Sequence, residues 1–212
     1  MVDLIEELRD LLQARSIRRG QFTLASGDQS SYYCDTKKTI LSPQGNYLVG
    51  EALFPLLAAL RCEAVGGLMM GGPLVATAVA HASYEKNAPV YAFAVRDKQK
   101  EHGLKQLIEQ SYHPDGAALV KAGRRVCVVD DVVTKGGSVL KAVDAVTDIG
   151  AEVIAVIALV DRNAGGREAL AARGLDYVFL YATDLDGNLH VNNEFIRRAG
   201  SNPTRVAAWA VR

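Results

Sequence analysis

Hydrophobic positions divide the chain into an alternation of helices and strands. Leu4, Ile5, Leu8, Leu11 and Leu12 recur at helical spacing and predict an amphipathic helix over about residues 3–15, in a region that Gly20 ends. Phe22-Thr23-Leu24 and Ser31-Tyr32-Tyr33-Cys34 read as short strands around the turn Ser26-Gly27-Asp28. Ser42-Pro43 marks a helix start, with Ser42 as N-cap and Pro43 in the first helical position. That helix carries Leu48, Leu53, Leu56, Leu57 and Leu60. Strands follow at Ala64–Met70, Val90–Val95, Val126–Asp130, Val153–Val160 and Leu175–Tyr181. Between them lie an Ala-rich helix after the turn Gly71-Gly72-Pro73, running to about Glu85, and a helix over Ser138–Ile149 closed by Gly150. The run Val153–Val160 is apolar throughout, as in a strand covered on both faces. Strands separated by helices of this length predict an α/β fold with a mainly parallel sheet flanked by helices.

One stretch breaks the alternation. From about Arg96 to Lys121 the chain holds Asp97, Lys98, Lys100, Glu101, His102, Lys105 and Glu109 with few large apolar residues. A segment of this length is either a functional lid or disordered.

At 212 residues the chain has room for one domain with a full core. Lys+Arg and Asp+Glu both number 24, so overall charge points to neither nucleic acid nor a membrane surface, and any anion site must be local. Cys34, Cys62 and Cys127 are odd in number and form no CxxC; they read as reduced thiols in a cytoplasmic compartment. The acidic start Met1–Glu7 is not that of a signal peptide, and no run of about 18 apolar residues predicts a membrane span. His81, His113 and His190 have no metal-ligand spacing, and Asp186-Gly187 reads as a hairpin turn.

The chemistry concentrates in Val128-Val129-Asp130-Asp131-Val132-Val133-Thr134-Lys135-Gly136-Gly137-Ser138. Two carboxylates stand at the carboxyl end of an apolar strand, the edge where open α/β sheets hold their ligands. A hydroxyl, two glycines and a second hydroxyl then precede a helix. Glycines let backbone N–H groups wrap an anion, and the helix start adds partial positive charge. A phosphate fits at Thr134–Ser138, while the aspartates suit hydroxyl donors or a cation on the same ligand, so a phosphorylated sugar satisfies both halves. Taken alone, the segment is also compatible with an acidic turn followed by a helix capped by Ser138.

This segment resembles the ribose-diphosphate signature of the type I phosphoribosyltransferases, and four further segments resemble the orotate-specific branch of that family. Phe22-Thr23-Leu24-Ala25-Ser26-Gly27 with Ser31-Tyr32-Tyr33 resembles its N-terminal hood over the base; an aromatic pair here either stacks a planar ring or belongs to the core. Arg96-Asp97-Lys98-Gln99-Lys100-Glu101-His102-Gly103 resembles its mobile catalytic loop, whose cations meet the departing pyrophosphate. Asp161-Arg162 matches the position that grips the orotate carboxylate, which a guanidinium fork suits. Gly71-Gly72-Pro73 matches the turn on the pyrophosphate side.

The resemblance implies a type I phosphoribosyltransferase fold with a hood from about 16–40 and a mobile loop over about 96–121. It implies phosphoribosyl diphosphate and orotate as substrates, Mg²⁺ carried by the diphosphate rather than by direct protein ligands, and a homodimer with shared active sites. The donor would meet Arg96, Lys100, His102, Asp130, Asp131, Val132, Val133, Thr134, Lys135, Gly136, Gly137 and Ser138, with Lys100, His102 and the acidic pair catalytic. Orotate would meet Tyr33, Thr134 and Arg162. The chain departs from the family's pattern at Ala25, where many members carry Lys, at Asp97, where most do, at Gly71-Gly72-Pro73, which lacks the lysine of some members, and at Lys135, which replaces the usual small residue. Asp97 thereby sets a negative charge near the expected polyanion. A transferase for another base, or a non-catalytic paralogue, shares the same scaffold.

Overall fold

The computed structural model describes residues 2–23, 29–98, 107–112 and 116–200. Helix α1 (Val2–Ser16) buries Ile5, Leu8 and Leu12. It ends before Gly20: Ser16 is buried, with its hydroxyl 2.7 Å from Thr39 Oγ1, and the chain turns directly into strand β1 (Ile17–Thr23). Gly20 lies instead in the irregular stretch where β1 slips register against the antiparallel strand β2 (Gln29–Cys34). These two strands form a separate two-stranded sheet. The expected turn Ser26-Gly27-Asp28 lies outside the described residues.

A short helix α2 (Lys37–Ile40) leads into α3 (Pro43–Ala59), where Ser42 caps the first turn by accepting from the Gly45 N–H at 3.1 Å, as its position predicts. Next come β3 (Ala64–Leu68), α4 (Gly71–Glu85), β4 (Tyr91–Val95) and β5 (Ile108–Gln110). Then follow β6 (Arg125–Val133), α5 (Gly137–Asp148), β7 (Glu152–Asp161), α6 (Gly166–Ala171), β8 (Tyr177–Thr183), β9 (Leu189–Val191) and α7 (Asn193–Gly200). The large sheet has the order β5-β4-β3-β6-β7-β8-β9; its five inner strands are parallel and β5 and β9 run antiparallel at the edges.

Each face of this sheet has its own apolar layer. On one side α1, α3, α4 and α7 contribute Leu8, Leu53, Val79 and Phe195. On the other, α5 and α6 contribute Val139, Val143, Val146 and Leu170. The β7 run is buried from Ala155 onward because helices cover both faces.

The polar stretch over 96–121 is not loop throughout. Ile108 is buried beside Val95 and Phe93, and Gln110 bonds both backbone groups of Val120 through its side chain. Burial of one side chain and satisfaction of the edge backbone stabilise β5 where local composition predicts no strand. Among the described residues no helix is long and apolar enough to cross a membrane.

Candidate active site

The acidic pair does not follow its strand; it lies within it. β6 runs on to Val133, so Asp130 and Asp131 sit on a rigid element and are only 6% and 7% exposed. Asp130 accepts from the Ser138 hydroxyl at 3.1 Å and from the Asp131 N–H at 3.0 Å. Asp131 accepts from the Thr36 hydroxyl, and Lys37 Nζ stands 3.8 Å from it and 3.0 Å from Asp35. Burial, then the neighbouring charge of Asp131, push the Asp130 carboxyl up to about 8. Burial opposes the charge on Lys37, but Asp35 and Asp131 outweigh it and hold the ammonium above its usual range.

Gly71, at the start of α4, closes the approach to the pair. A Cβ there would fall 1.9 Å from Asp131 Oδ1 and 2.8 Å from Asp130 Oδ1. The turn Gly71-Gly72-Pro73 is thus the first turn of a helix pressed against both carboxylates.

Beyond Val133 the chain opens into the expected anion turn. Thr134, Lys135, Gly137 and Ser138 are exposed, and Gly136 occupies a left-handed backbone (φ 81°) at the N-cap of α5, where no side chain caps the helix. Ser138 is not the cap: its hydroxyl donates to Asp130. The first-turn N–H groups of α5 therefore face the turn with positive polarity. Val133 is buried and Val132 half-buried, both packed into the core, so a ligand in the turn meets Thr134 onward and not these two side chains.

Arg162 leaves the end of β7 next to this turn, its N–H bonded to the Val133 carbonyl at 2.9 Å. Asp161 beside it is buried and accepts from Asn163 N, Arg167 Nε and Tyr177 OH, which locks the strand end. The Arg162 guanidinium lies 4.3 Å from the Tyr32 ring centroid, donates from Nε to Tyr32 OH at 3.1 Å and from Nη2 to Ser30 Oγ at 3.0 Å. Tyr33 is absent from this group. It is 43% exposed and packs on Phe22, with ring centroids 5.7 Å apart. The described structure thus brings Arg162 together with Tyr32 and Ser30 rather than with the expected Tyr33.

The cationic loop is described only at its start. Arg96 pairs with Glu109 at 2.7 Å, and Asp97 pairs with Lys141 of α5 at 2.8 Å, which lowers the Asp97 carboxyl below its usual range. The negative charge expected beside the polyanion is therefore offset locally. Lys100, His102 and Ala25 lie outside the described residues.

Sequence reasoning missed Ser30, Thr36, Lys37 and Thr183, and it named Tyr32 only as one of the hood's aromatic pair. Only Asp35-Thr36-Lys37 carried a signal, a carboxylate, hydroxyl and cation directly after the hood strand. Nothing in their spacing says that Thr36 meets a carboxylate 95 residues away. Burial lifts the Cys34 thiol to about 12, so it holds no thiolate nucleophile for the site. Among the described residues no cluster of three or more His, Cys, Asp or Glu side chains forms a metal cage.

The chain is similar to known proteins over most of its length. Residues 62–177 match the phosphoribosyl transferase domain. An orotate phosphoribosyltransferase of Rhodopseudomonas palustris (strain TIE-1) is 44% identical over 174 residues, 82% of this chain and 91% of that protein. The crystal structure of the Mycobacterium tuberculosis H37Rv orotate phosphoribosyltransferase in complex with Fe(III) dicitrate superimposes with a TM-score of 0.71 at 40% identity, covering 83% of this chain and 94% of that one. The same enzyme in complex with 5-phospho-α-D-ribosyl 1-diphosphate gives 0.68 at 38% identity, with the same coverage. The matched domain takes in the acidic pair, the anion turn and Arg162, and the chain belongs to the phosphoribosyltransferase family, in its orotate phosphoribosyltransferase branch.

Proposed function

We propose that the chain carries out the reaction of its family with the donor along Asp130–Ser138 and the acceptor at Arg162. The reaction transfers the phosphoribosyl group from 5-phosphoribosyl 1-diphosphate to orotate and yields orotidine 5′-phosphate and pyrophosphate, a step of pyrimidine synthesis. The observation that carries this reading is the juxtaposition just described: a buried carboxylate pair, an uncapped helix start and an arginine fork within one stretch of sheet edge.

In this reading Thr134–Ser138 hold the 5-phosphate by backbone N–H groups and hydroxyls. Asp130 and Asp131 accept from the ribose hydroxyls and orient the sugar while its anomeric carbon gains oxocarbenium character. Arg162 grips the orotate carboxylate with two parallel hydrogen bonds, so that the ring nitrogen faces that carbon. Lys100 and His102 stabilise the leaving pyrophosphate from the neighbouring copy of a homodimer. Lys37, held by Asp35 and Asp131, adds a cation on the same side as the acidic pair.

The donor set fits Mg²⁺ that travels with the substrate. The acidic pair by itself is no metal cage, so the ion would take its ligands from diphosphate oxygens and water while Asp130 and Asp131 face the ribose of the same substrate. Bound there, Mg²⁺ supplies charge neutralisation for the departing diphosphate. The three free thiols support a cytoplasmic setting.

The test is the loss of orotate ultraviolet absorbance with the diphosphate donor and Mg²⁺, with adenine, guanine and hypoxanthine run in parallel. Turnover of orotate alone supports the reading. Turnover of a purine base would replace it with a transferase for another base, and binding of the donor without turnover of any base would leave a non-catalytic paralogue.

A further inference from the structure

A chain of side chains links Thr183, at the end of the strand beside β7, through Tyr32 of the hood to Arg162. Thr183, the last residue of β8, is 2% exposed. Its hydroxyl lies 2.6 Å from Tyr32 OH, and Tyr32 is itself 5% exposed. The phenol oxygen in turn accepts from Arg162 Nε at 3.1 Å, and the guanidinium carbon lies 4.3 Å from the ring centroid. A phenol has one hydrogen and two lone pairs. With one lone pair taken by Arg162 Nε, the bond to Thr183 engages a second of these three groups and holds the phenol oxygen from two sides.

Arg162 has five N–H donors in a rigid fork. The bonds to Tyr32 and Ser30 use one on Nε and one on Nη2, which leaves three further N–H groups of the fork for a ligand. An arginine held only by its backbone would sample many rotamers and lose them on binding. Here the orientation is set before any carboxylate arrives.

We infer that Thr183, acting through Tyr32, is the positioning residue that sets the specificity of this site for a carboxylate-bearing base. The inference rests on the assignment of Arg162 to that carboxylate. Thr183 touches no substrate; it holds the phenol that holds the fork. The rest of the hood is anchored to the same side of the molecule: Ser31 Oγ donates to the Leu185 carbonyl at 2.7 Å, and Arg19 donates to Asn188 Oδ1 at 2.7 Å. Removing the Thr183 hydroxyl therefore perturbs the tyrosine without releasing the hood.

The experiment compares Thr183→Val, Thr183→Ser and Arg162→Ala with the parent protein. It reads orotate KM and kcat at saturating donor, donor Kd by calorimetry, and thermal midpoint. Thr183→Val is expected to raise orotate KM on the order of tenfold, since it leaves a buried phenol short of a partner. Donor Kd should stay within about twofold, because the phosphate and ribose sites lie on β6 and α5. Thr183→Ser should return orotate KM to near the parent value. A raised KM in Arg162→Ala with an unchanged KM in Thr183→Val would overturn the inference and leave the role of Arg162 standing. Unchanged KM in both variants would remove the Arg162 assignment and the inference with it. Equal losses for orotate and donor with a lowered thermal midpoint would show a merely structural threonine.

Discussion

Gly71 is the position at which a single methyl group tests the acidic pair. In Gly71→Ala the new Cβ would fall 1.9 Å from Asp131 Oδ1, short of ordinary contact by about 1.5 Å. The Asp130 carboxylate, 2.8 Å away on its nearer oxygen, blocks one escape route. Helix α4 is packed against β3 and β6 and cannot back away as a unit, so the Asp131 carboxylate must move. That motion breaks its bond from Thr36 and widens the 3.8 Å approach of Lys37. A misplacement of about 1 Å at a reacting centre costs on the order of 100-fold, equivalent to about 2.7 kcal/mol of transition-state stabilisation. Gly71 is the first residue of α4, so the methyl group leaves the helix's own hydrogen bonds in place and the fold itself should survive. The assay is steady-state kcat/KM for the forward reaction, with circular dichroism and a thermal melt as controls. A folded Gly71→Ala protein with efficiency within about threefold of the parent would refute the reasoning, because the carboxylates would then be free to move without consequence.

Asp130 makes the stability of the ligand-free protein depend on pH. Its folded-state value of about 8 lies above the ordinary 3.8, so the folded form holds the proton more tightly, and the stability this contributes is full below about 4 and is lost as pH rises through about 8. Asp130→Asn should therefore gain stability relative to the parent across that window; denaturation midpoints from pH 5 to 9 whose difference stayed flat would contradict the burial argument. Asp97→Lys should change donor affinity by less than about twofold at physiological salt, since Asp97 is occupied by the exposed Lys141; a large, salt-sensitive tightening would show that it faces the donor. If two copies share their sites, equimolar mixing of Lys100→Ala with Asp131→Asn chains should restore about a quarter of parental activity, because half the dimers carry one intact site; no recovery after demonstrated subunit exchange would exclude sharing.

Much of this molecule is determined locally. Helical spacing places α1, the Ser42-Pro43 pair starts α3, and the apolar run Val153–Val160 becomes a doubly covered central strand. The site's centre is equally local, because Asp130, Asp131 and the Gly136-Gly137 turn are neighbours on one strand–helix joint. What the tertiary structure alone decided is which side chains close around that joint. Adjacent strand residues point to opposite faces, so one of Tyr32 and Tyr33 must turn inward. The docking of β2 against Thr183, 151 residues away, selects Tyr32 and leaves Tyr33 on Phe22. The same long-range packing lays Thr36 and Lys37 on Asp131, lengthens β6 past the carboxylates, and turns Asp97 toward Lys141 instead of the site. Periodicity and turn chemistry act over a few residues, whereas these contacts depend on how two sheets and their helices meet, and no local pattern encodes that geometry.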